Sequence, residues 1–274
     1  MRQVLERGPE RARPVCRPIG LSGGGVVITG GASGIGLASA HALAAVGRSV
    51  ALWDINREGA VAAAADIASR HGVRAVGLAV DLRNPQAIVP AALASREAIG
   101  PVGGLVHCAG TAEVTGIDGV TPENWDAGLA LHVRAVVLLV QALRNDLRAA
   151  PGAAIVALSS INATLGNGMI PIYSAAKGAV LSLVRSMADE LAGDSIRINA
   201  VSPGLIDTPI IAAIKAALPR VFERRIMLGR YGEAAEVGRV IRFLLSDEAS
   251  YITAAEVVVD GGNINSSRHY RPGT

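Results

Sequence analysis

Val26-Val27-Ile28-Thr29-Gly30-Gly31-Ala32-Ser33-Gly34-Ile35-Gly36 is the stretch on which the fold turns. Its first three residues are apolar and β-branched, as in a strand buried on both faces of a parallel sheet. Glycines follow at once, and Leu37 to Val46 is rich in alanine and leucine, which predicts a helix. Without a Cβ, the backbone between such a strand and helix can approach a pyrophosphate closely. The helix N-terminus then offers free N–H groups and the positive end of its dipole. Glycines also serve ordinary turns, so the flanking strand and helix give this loop its meaning.

A second apolar run, Ser49 to Trp53, ends in Asp54, eighteen residues after Gly36. A carboxylate there accepts hydrogen bonds from both ribose hydroxyls of an adenosine and repels a 2′-phosphate, which points to NAD over NADP. The alternative is an aspartate that caps the next helix.

Ser160 to Lys177 carries the second signal: Ser-Ile-Asn-Ala-Thr-Leu-Gly-Asn-Gly-Met-Ile-Pro-Ile-Tyr-Ser-Ala-Ala-Lys. Tyr173 and Lys177 are four apart and share one helix face. A phenol with a pKa near ~10 is a poor base at neutral pH. An ammonium group one turn away favours its ionised form. The Ser160 hydroxyl, at the end of an apolar run, is suited to hold a substrate oxygen beside the phenol. A tyrosine and a lysine at this spacing also occur on ordinary solvated helix faces, so the pair needs its context.

The rest of the chain supplies that context. Of 274 residues, 50% are hydrophobic but only 3% aromatic, so the core is built from alanine, valine, leucine and isoleucine. Strands are expected near Val26–Thr29, Ser49–Trp53, Ala75–Val80, Leu105–Cys108, Ala153–Ser159, Arg197–Val201 and Glu256–Val259, with helices between them. That alternation predicts an α/β fold: one doubly wound parallel sheet of about seven strands with helices on both faces. The longest helix is expected over Thr121–Ala149, opened by a hydroxyl cap and a proline. Residues 23–264 then form one domain between a basic N-terminal tail, 1–22, expected to be disordered, and a polar C-terminal tail, 265–274, expected to cross onto a neighbouring copy or to be disordered.

The net charge of +3 comes from the tail. Arg2, Arg7, Arg11, Arg13 and Arg17 face only Glu6 and Glu10, and the remaining residues carry 21 basic and 21 acidic side chains. No basic surface with stacking aromatics is evident, so no nucleic-acid partner is expected. No unbroken apolar run approaches a membrane span of ~18 residues. The N-terminus lacks the apolar stretch of a signal peptide, and a cytoplasmic location is expected. Cys16 and Cys108 are not expected to pair. The five histidines lack ligand spacing, so no metal site is expected.

The chain resembles the short-chain dehydrogenase/reductase family over about residues 24 to 262. The family pattern T-G-x-x-x-G-x-G stands as Thr29 to Gly36, and its Tyr-x-x-x-Lys as Tyr173 to Lys177, with Ser160 thirteen residues before the tyrosine. Asp81-Leu82 looks like the adenine-contacting pair, and Asn199 to Gly204 like the sixth strand and the turn beside the nicotinamide. Thr208 stands where the family has a hydroxyl near the carboxamide. Gly229 to Gly232 and Val259 to Gly262 resemble its C-terminal signatures. The resemblance implies a Rossmann fold that binds NAD through Gly30, Ser33, Gly34, Ile35, Gly36, Asp54, Asp81, Leu82, Ala109, Gly110, Tyr173, Lys177, Pro203, Gly204, Ile206 and Thr208. It implies Ser160, Tyr173 and Lys177 as catalytic residues, and assembly as a homo-oligomer, dimer or tetramer. The apolar stretch Ala135 to Val140, wider than one buried face requires, fits such pairing.

Two positions depart from the pattern. The usual Asn-Asn-Ala-Gly after the fourth strand reads His107-Cys108-Ala109-Gly110. The family's catalytic asparagine falls at His132, counted from Trp125-Asp126. An imidazole with a pKa near ~6.5 is suited to binding and relaying through water. A ring that only packs, with the relay rerouted, and an impaired enzyme are the alternatives.

The expected function is hydride transfer between NAD(H) and an apolar secondary alcohol or ketone, with tyrosine as general acid/base. A 3-oxoacyl-thioester reductase and a catalytically impaired dinucleotide-binding protein are the other readings. In the family, the substrate pocket is lined by the segments that stand here as Leu165 to Ile170 and Leu205 to Ile211, both largely aliphatic. The basic stretch Lys215 to Arg225 is expected to meet an anionic group or to form a solvated lid.

Overall fold

Strand β1 (Gly25–Thr29) lies at the centre of a parallel sheet because nothing in it is polar until Thr29. A computed structural model of the chain describes residues 23–211 and 223–264. Both expected tails, Cys16, Lys215 and Arg220 lie outside the described residues.

The sheet has seven strands in the order β3-β2-β1-β4-β5-β6-β9, all parallel. They are β1, β2 (Val50–Asp54), β3 (Ala75–Ala79), β4 (Val102–His107), β5 (Ala154–Leu158), β6 (Arg197–Pro203) and β9 (Glu256–Val259). A short parallel ribbon, β7 (Ile206–Asp207) with β8 (Gly232–Glu233), sits apart from it. Successive strand side chains point to opposite faces, so each face needs its own cover. Val27, Ala51, Leu105, Ile155 and Ile198 pack under α3 (Ile88–Ile99), α5 (Ala135–Ala149) and α7 (Pro171–Gly193). Val26, Ile28, Val50, Leu52, Val106 and Val156 pack under α1 (Gly34–Ala44), α2 (Arg57–His71) and α8 (Ala234–Leu244). This is the doubly wound sheet that the alternation of runs predicts.

The long helix is one continuous rod with a fault in it. Thr121 caps α4 (Pro122–Leu129) in a capping box with Asn124, as the hydroxyl-proline start implies. The rod passes through a π turn, Ala130–Arg134, before α5. Pro122–Ala149 is long and apolar enough to cross a membrane by length and composition alone. Its apolar residues Ala135, Val136, Leu139, Leu143 and Leu147 instead line the sheet core.

The chain reverses its winding between β1 and β4, the neighbours from which the two halves of the sheet diverge. The carboxyl ends of those strands open a crevice, the ligand position in open α/β sheets. The segment after β6 lines its rim, and a single turn, α6 (Asn162–Leu165), follows β5.

Candidate functional site

The loop after β1 is shaped by what its glycines lack. Gly30 adopts φ +66°, and a Cβ there would meet Ala109 Cα at 2.9 Å. A Cβ on Gly36 would collide with the Gly30 carbonyl oxygen. The α1 N-terminus has Ser33 as its cap residue, without a side-chain capping bond, and no acidic residue in its first turn. Its first N–H groups are therefore left for an anion, in a cradle that any side chain would fill. The residues present fit the pyrophosphate of a dinucleotide.

Asp54 ends β2 beside this loop. Its Oδ2 accepts the Ala32 N–H at 3.0 Å and its Oδ1 the Asn56 N–H at 3.0 Å. Capping of α2 falls to Asn56, which accepts the Gly59 N–H, so Asp54 is not the helix cap. Each Asp54 oxygen keeps a second lone pair for a ribose hydroxyl. Asp81 lies further along the rim, gripped by the Arg83 guanidinium at 2.8–3.2 Å, which holds its carboxyl below the usual range.

Ser160, Tyr173 and Lys177 come together on one wall. α7 begins at Pro171, and the four-residue spacing puts Tyr173 and Lys177 on the same face. Lys177 Nζ lies 5.5 Å from the Tyr173 ring centroid and donates to the Leu158 carbonyl at 2.7 Å. Burial lowers the lysine to about 8. The phenol stands above its ordinary value: burial raises it, and the Ser160 hydrogen bond opposes that only in part. This corrects the expectation that the lysine acidifies the phenol. Desolvation of the buried Tyr173 phenol is the larger cause, so the net direction is the reverse of the one expected.

His132 stands on the π turn, 1% exposed. Its Nε2 donates to the Thr111 carbonyl at 3.0 Å, and its ring meets the Tyr173 ring edge-on, centroids 5.5 Å apart. The ring fits because its neighbour is Gly110, where a Cβ would fall 2.5 Å from His132 Cε1. Burial, then the Lys177 charge, drives its pKa down to about 3. The expected value near ~6.5 for a relay does not hold here, because the ring is desolvated beside an ammonium group. His107 is driven to about 3 by the same two causes, and burial pushes the Cys108 thiol up to about 12.

The glycine loop, Asp54, Asp81, Cys108, His132, Ser160, Tyr173 and Lys177 line one cleft of about 510 Å³, whose lining does not include His107. Gly30, Ser33, Gly34, Ile35 and Gly36 form one end, with Asp54, Asp81 and Leu82 beside them. Ala109 and Gly110 form its floor, and His132, Ser160, Tyr173 and Lys177 its far wall. Pro203, Gly204, Ile206 and Thr208 close the opposite side, where a Cβ on Gly34 would touch Thr208 Cγ2 at 3.5 Å.

The expected substrate wall is only half present among the described residues. Ile206, Thr208, Pro209 and Ile211 line the cleft, but Leu165 to Ile170 do not. Leu165 and Met169 are 55% and 60% exposed, and the Met169 carbonyl accepts the N–H groups of Thr115 and Gly116. The wall is made instead by Thr111, Ala112 and Glu113 after β4, and by Asn124, Ala127, Gly128 and Leu131 of the long helix. No spacing in the sequence marks these residues.

Residues 30–263 match the family model described as enoyl-(acyl carrier protein) reductase. The chain is 36% identical over 248 residues to an uncharacterised short-chain type dehydrogenase/reductase of Sinorhizobium fredii, covering 88% of this chain and 98% of that protein. It is 36% identical over 242 residues to cyclopentanol dehydrogenase of Comamonas sp., covering 86% and 95%. The structure of L-sorbose reductase from Gluconobacter frateurii, complexed with NADPH and L-sorbose, is similar with a TM-score of 0.85 at 32% identity, covering 90% and 98%. The chain belongs to the short-chain dehydrogenase/reductase family.

Proposed function

We propose that this protein moves a hydride between NAD(H) and an apolar secondary alcohol or its ketone. The nicotinamide, when bound, supplies the hydride chemistry; the chain binds, orients and handles the proton. In oxidation, Tyr173 takes the hydroxyl proton, Ser160 donates a hydrogen bond to the same oxygen, and Lys177 holds positive charge beside the phenol. Positioned acid–base catalysis of this kind contributes roughly 10²–10⁴-fold. The reading is carried by one observation: Ser160, Tyr173 and Lys177 share the wall of a cleft that runs on to the glycine loop. Asp54 supports NAD, since its carboxylate disfavours a 2′-phosphate, although the similar L-sorbose reductase is complexed with NADPH. Ala127, Gly128, Leu131, Ile172 and Ile211 give the substrate end an apolar lining, which favours a small hydrophobic alcohol. The similarity to a cyclopentanol dehydrogenase agrees. We also read the chain as a homo-oligomer that pairs through the long helix, where Val137 and Leu138 are only half-buried.

The test is a panel of cyclopentanol, a sugar alcohol and a 3-oxoacyl thioester with its 3-hydroxy product, each with NAD(H) and NADP(H), followed by reduced-nicotinamide absorbance. Turnover of the cyclic alcohol with NAD is expected. Tyr173→Phe is expected to lose at least about 10²-fold in kcat while NADH still binds. Turnover of the thioester alone with NADPH would replace this reading by a thioester reductase. NADH binding without any turnover would leave a non-catalytic binder.

A further inference from the structure

The segment between Ser160 and Tyr173 carries the one Asn-Gly pair in the sequence, Asn167-Gly168. Both residues are exposed, and a Cβ built on Gly168 would have nothing within 4 Å. The pair sits in a tight turn held by two hydrogen bonds. Asn167 Oδ1 accepts the Met169 N–H at 3.0 Å, and the Asn167 backbone carbonyl accepts the Ile170 N–H at 3.0 Å. The Gly168 N–H, next to these donors in sequence, has no acceptor among the described residues. The first bond closes a ring that contains both the Asn167 Cγ and the Gly168 nitrogen. One new bond between those two atoms makes a five-membered imide. Glycine reaches that ring most easily, because no Cβ restricts its backbone. The Met169 N–H already donates to the oxygen that becomes negative as the bond forms, as a preorganised donor should.

We propose that Asn167 is a self-modification site, where the chain converts its own amide to a carboxylate in the segment that joins Ser160 to Tyr173. The Gly168 nitrogen gives its proton to solvent and bonds to the Asn167 Cγ. The Cγ–Nδ2 bond then breaks, Nδ2 takes up a proton, and ammonia leaves. Water opens the resulting imide at either carbonyl. One opening gives aspartate. The other gives isoaspartate, whose backbone runs through the former side chain and is one carbon longer. No electron donor or acceptor is needed: water enters, ammonia leaves, and the atoms balance. The Met169 carbonyl accepts the Thr115 and Gly116 N–H groups at 3.0 and 3.2 Å. Thr111, Ala112 and Glu113, just before them in sequence, line the cleft. A longer backbone at residue 167 displaces Met169 and loosens that wall. Asn167 therefore links the age of the protein to its grip on substrate. The chemical step is independent of the function proposed above; its effect on substrate binding rests on that reading.

The first test is mass spectrometry of the full chain, aged in mildly alkaline buffer and then digested. Residue 167 is expected to gain the mass difference between amide and carboxylate before any other asparagine does. It is expected to do so at least as fast as in a free peptide of residues 161–172. In Gly168→Ala the new methyl group meets no neighbour. The substitution is expected to slow the conversion at least about tenfold, a barrier higher by about 1.4 kcal/mol. Slower conversion in the folded chain than in the peptide, or another asparagine converting first, overturns the proposal. The second test compares aged wild type with aged Gly168→Ala on the best alcohol of the panel. KM for the alcohol is expected to rise at least about twofold in the converted protein alone, with NADH affinity unchanged. A fully converted chain that keeps the KM of fresh protein overturns the link to the substrate wall. Should the protein oxidise no alcohol, the catalytic reading fails by itself, and the masses still decide the modification site.

Discussion

At the scale of single residues, Asp54 tests the cofactor reading most directly. Its oxygens are fixed by the Ala32 and Asn56 N–H groups, so the carboxylate cannot swing away from a 2′-phosphate. Asp54→Ala is expected to narrow the ratio of kcat/KM for NAD over NADP by about tenfold or more, a change of about 1.4 kcal/mol. An unchanged ratio would remove the residue from that role. The buried histidines give a second residue-scale prediction. Unfolded, their pKa values return to about 6.5; folded, both lie at about 3. Between these values the unfolded chain binds more protons, so stability rises with pH across this window. It is fully present above about pH 6.5 and is lost on acidification toward pH 3. His107→Asn or His132→Asn is expected to flatten this acid limb in urea melts taken near pH 7 and pH 5; a slope equal to wild type would show that the rings titrate freely. The identity and spacing of Ser160, Tyr173 and Lys177 were legible in the sequence because the chemistry demands those groups. Their ionisation was not, because burial of Tyr173 and Lys177 is a property of the folded wall.

At the scale of elements, the first strand, glycine loop and helix read correctly because each local preference agrees with the next. Strand β4 shows where that logic weakens. It begins at Val102, three residues before the apolar run near Leu105 that marks it in the sequence. Gly103 and Gly104 hide its start. A Cβ on Gly103 would strike the Gly23 carbonyl, so close approach of two backbones, rather than strand propensity, chose the residue. The π turn at Ala130–Arg134 is likewise invisible in a helical pattern, yet it carries His132 to the cleft. The glycine loop provides the prediction at this scale. Gly36→Ala drives a methyl group into the Gly30 carbonyl and forces α1 away from the loop. NADH affinity is expected to fall at least about tenfold, measured by fluorescence titration, with Tyr173 and Ser160 untouched. Affinity within twofold of wild type would mean that the cradle yields without cost.

At the scale of the whole molecule, one buried cation helps to staple the amino-terminal edge of the sheet. Arg48, 5% exposed, donates to the Gly24 carbonyl at 2.7 Å, to Gly23 at 3.0 Å and to Leu245 at 3.4 Å. It thus joins the entry to β1 with the end of α8, two points far apart in sequence that no periodicity links. Two effects compete on its removal. Burial disfavours the guanidinium and lowers its pKa to about 10, so losing the charge relieves a desolvation cost. Against this, up to three carbonyls lose their donor, at about 1–3 kcal/mol for each that stays buried. The second effect is larger, because a methionine of similar length covers the carbonyls from water without pairing them. Arg48→Met is therefore expected to lower Tm by roughly 2–4 °C for each kcal/mol lost, while NADH affinity stays at the wild-type value because the cleft lies at the opposite end of the strands. A melt at or above the wild-type temperature would show that desolvation of the cation dominates. A parallel loss of NADH affinity would show that the two ends of the sheet are mechanically coupled.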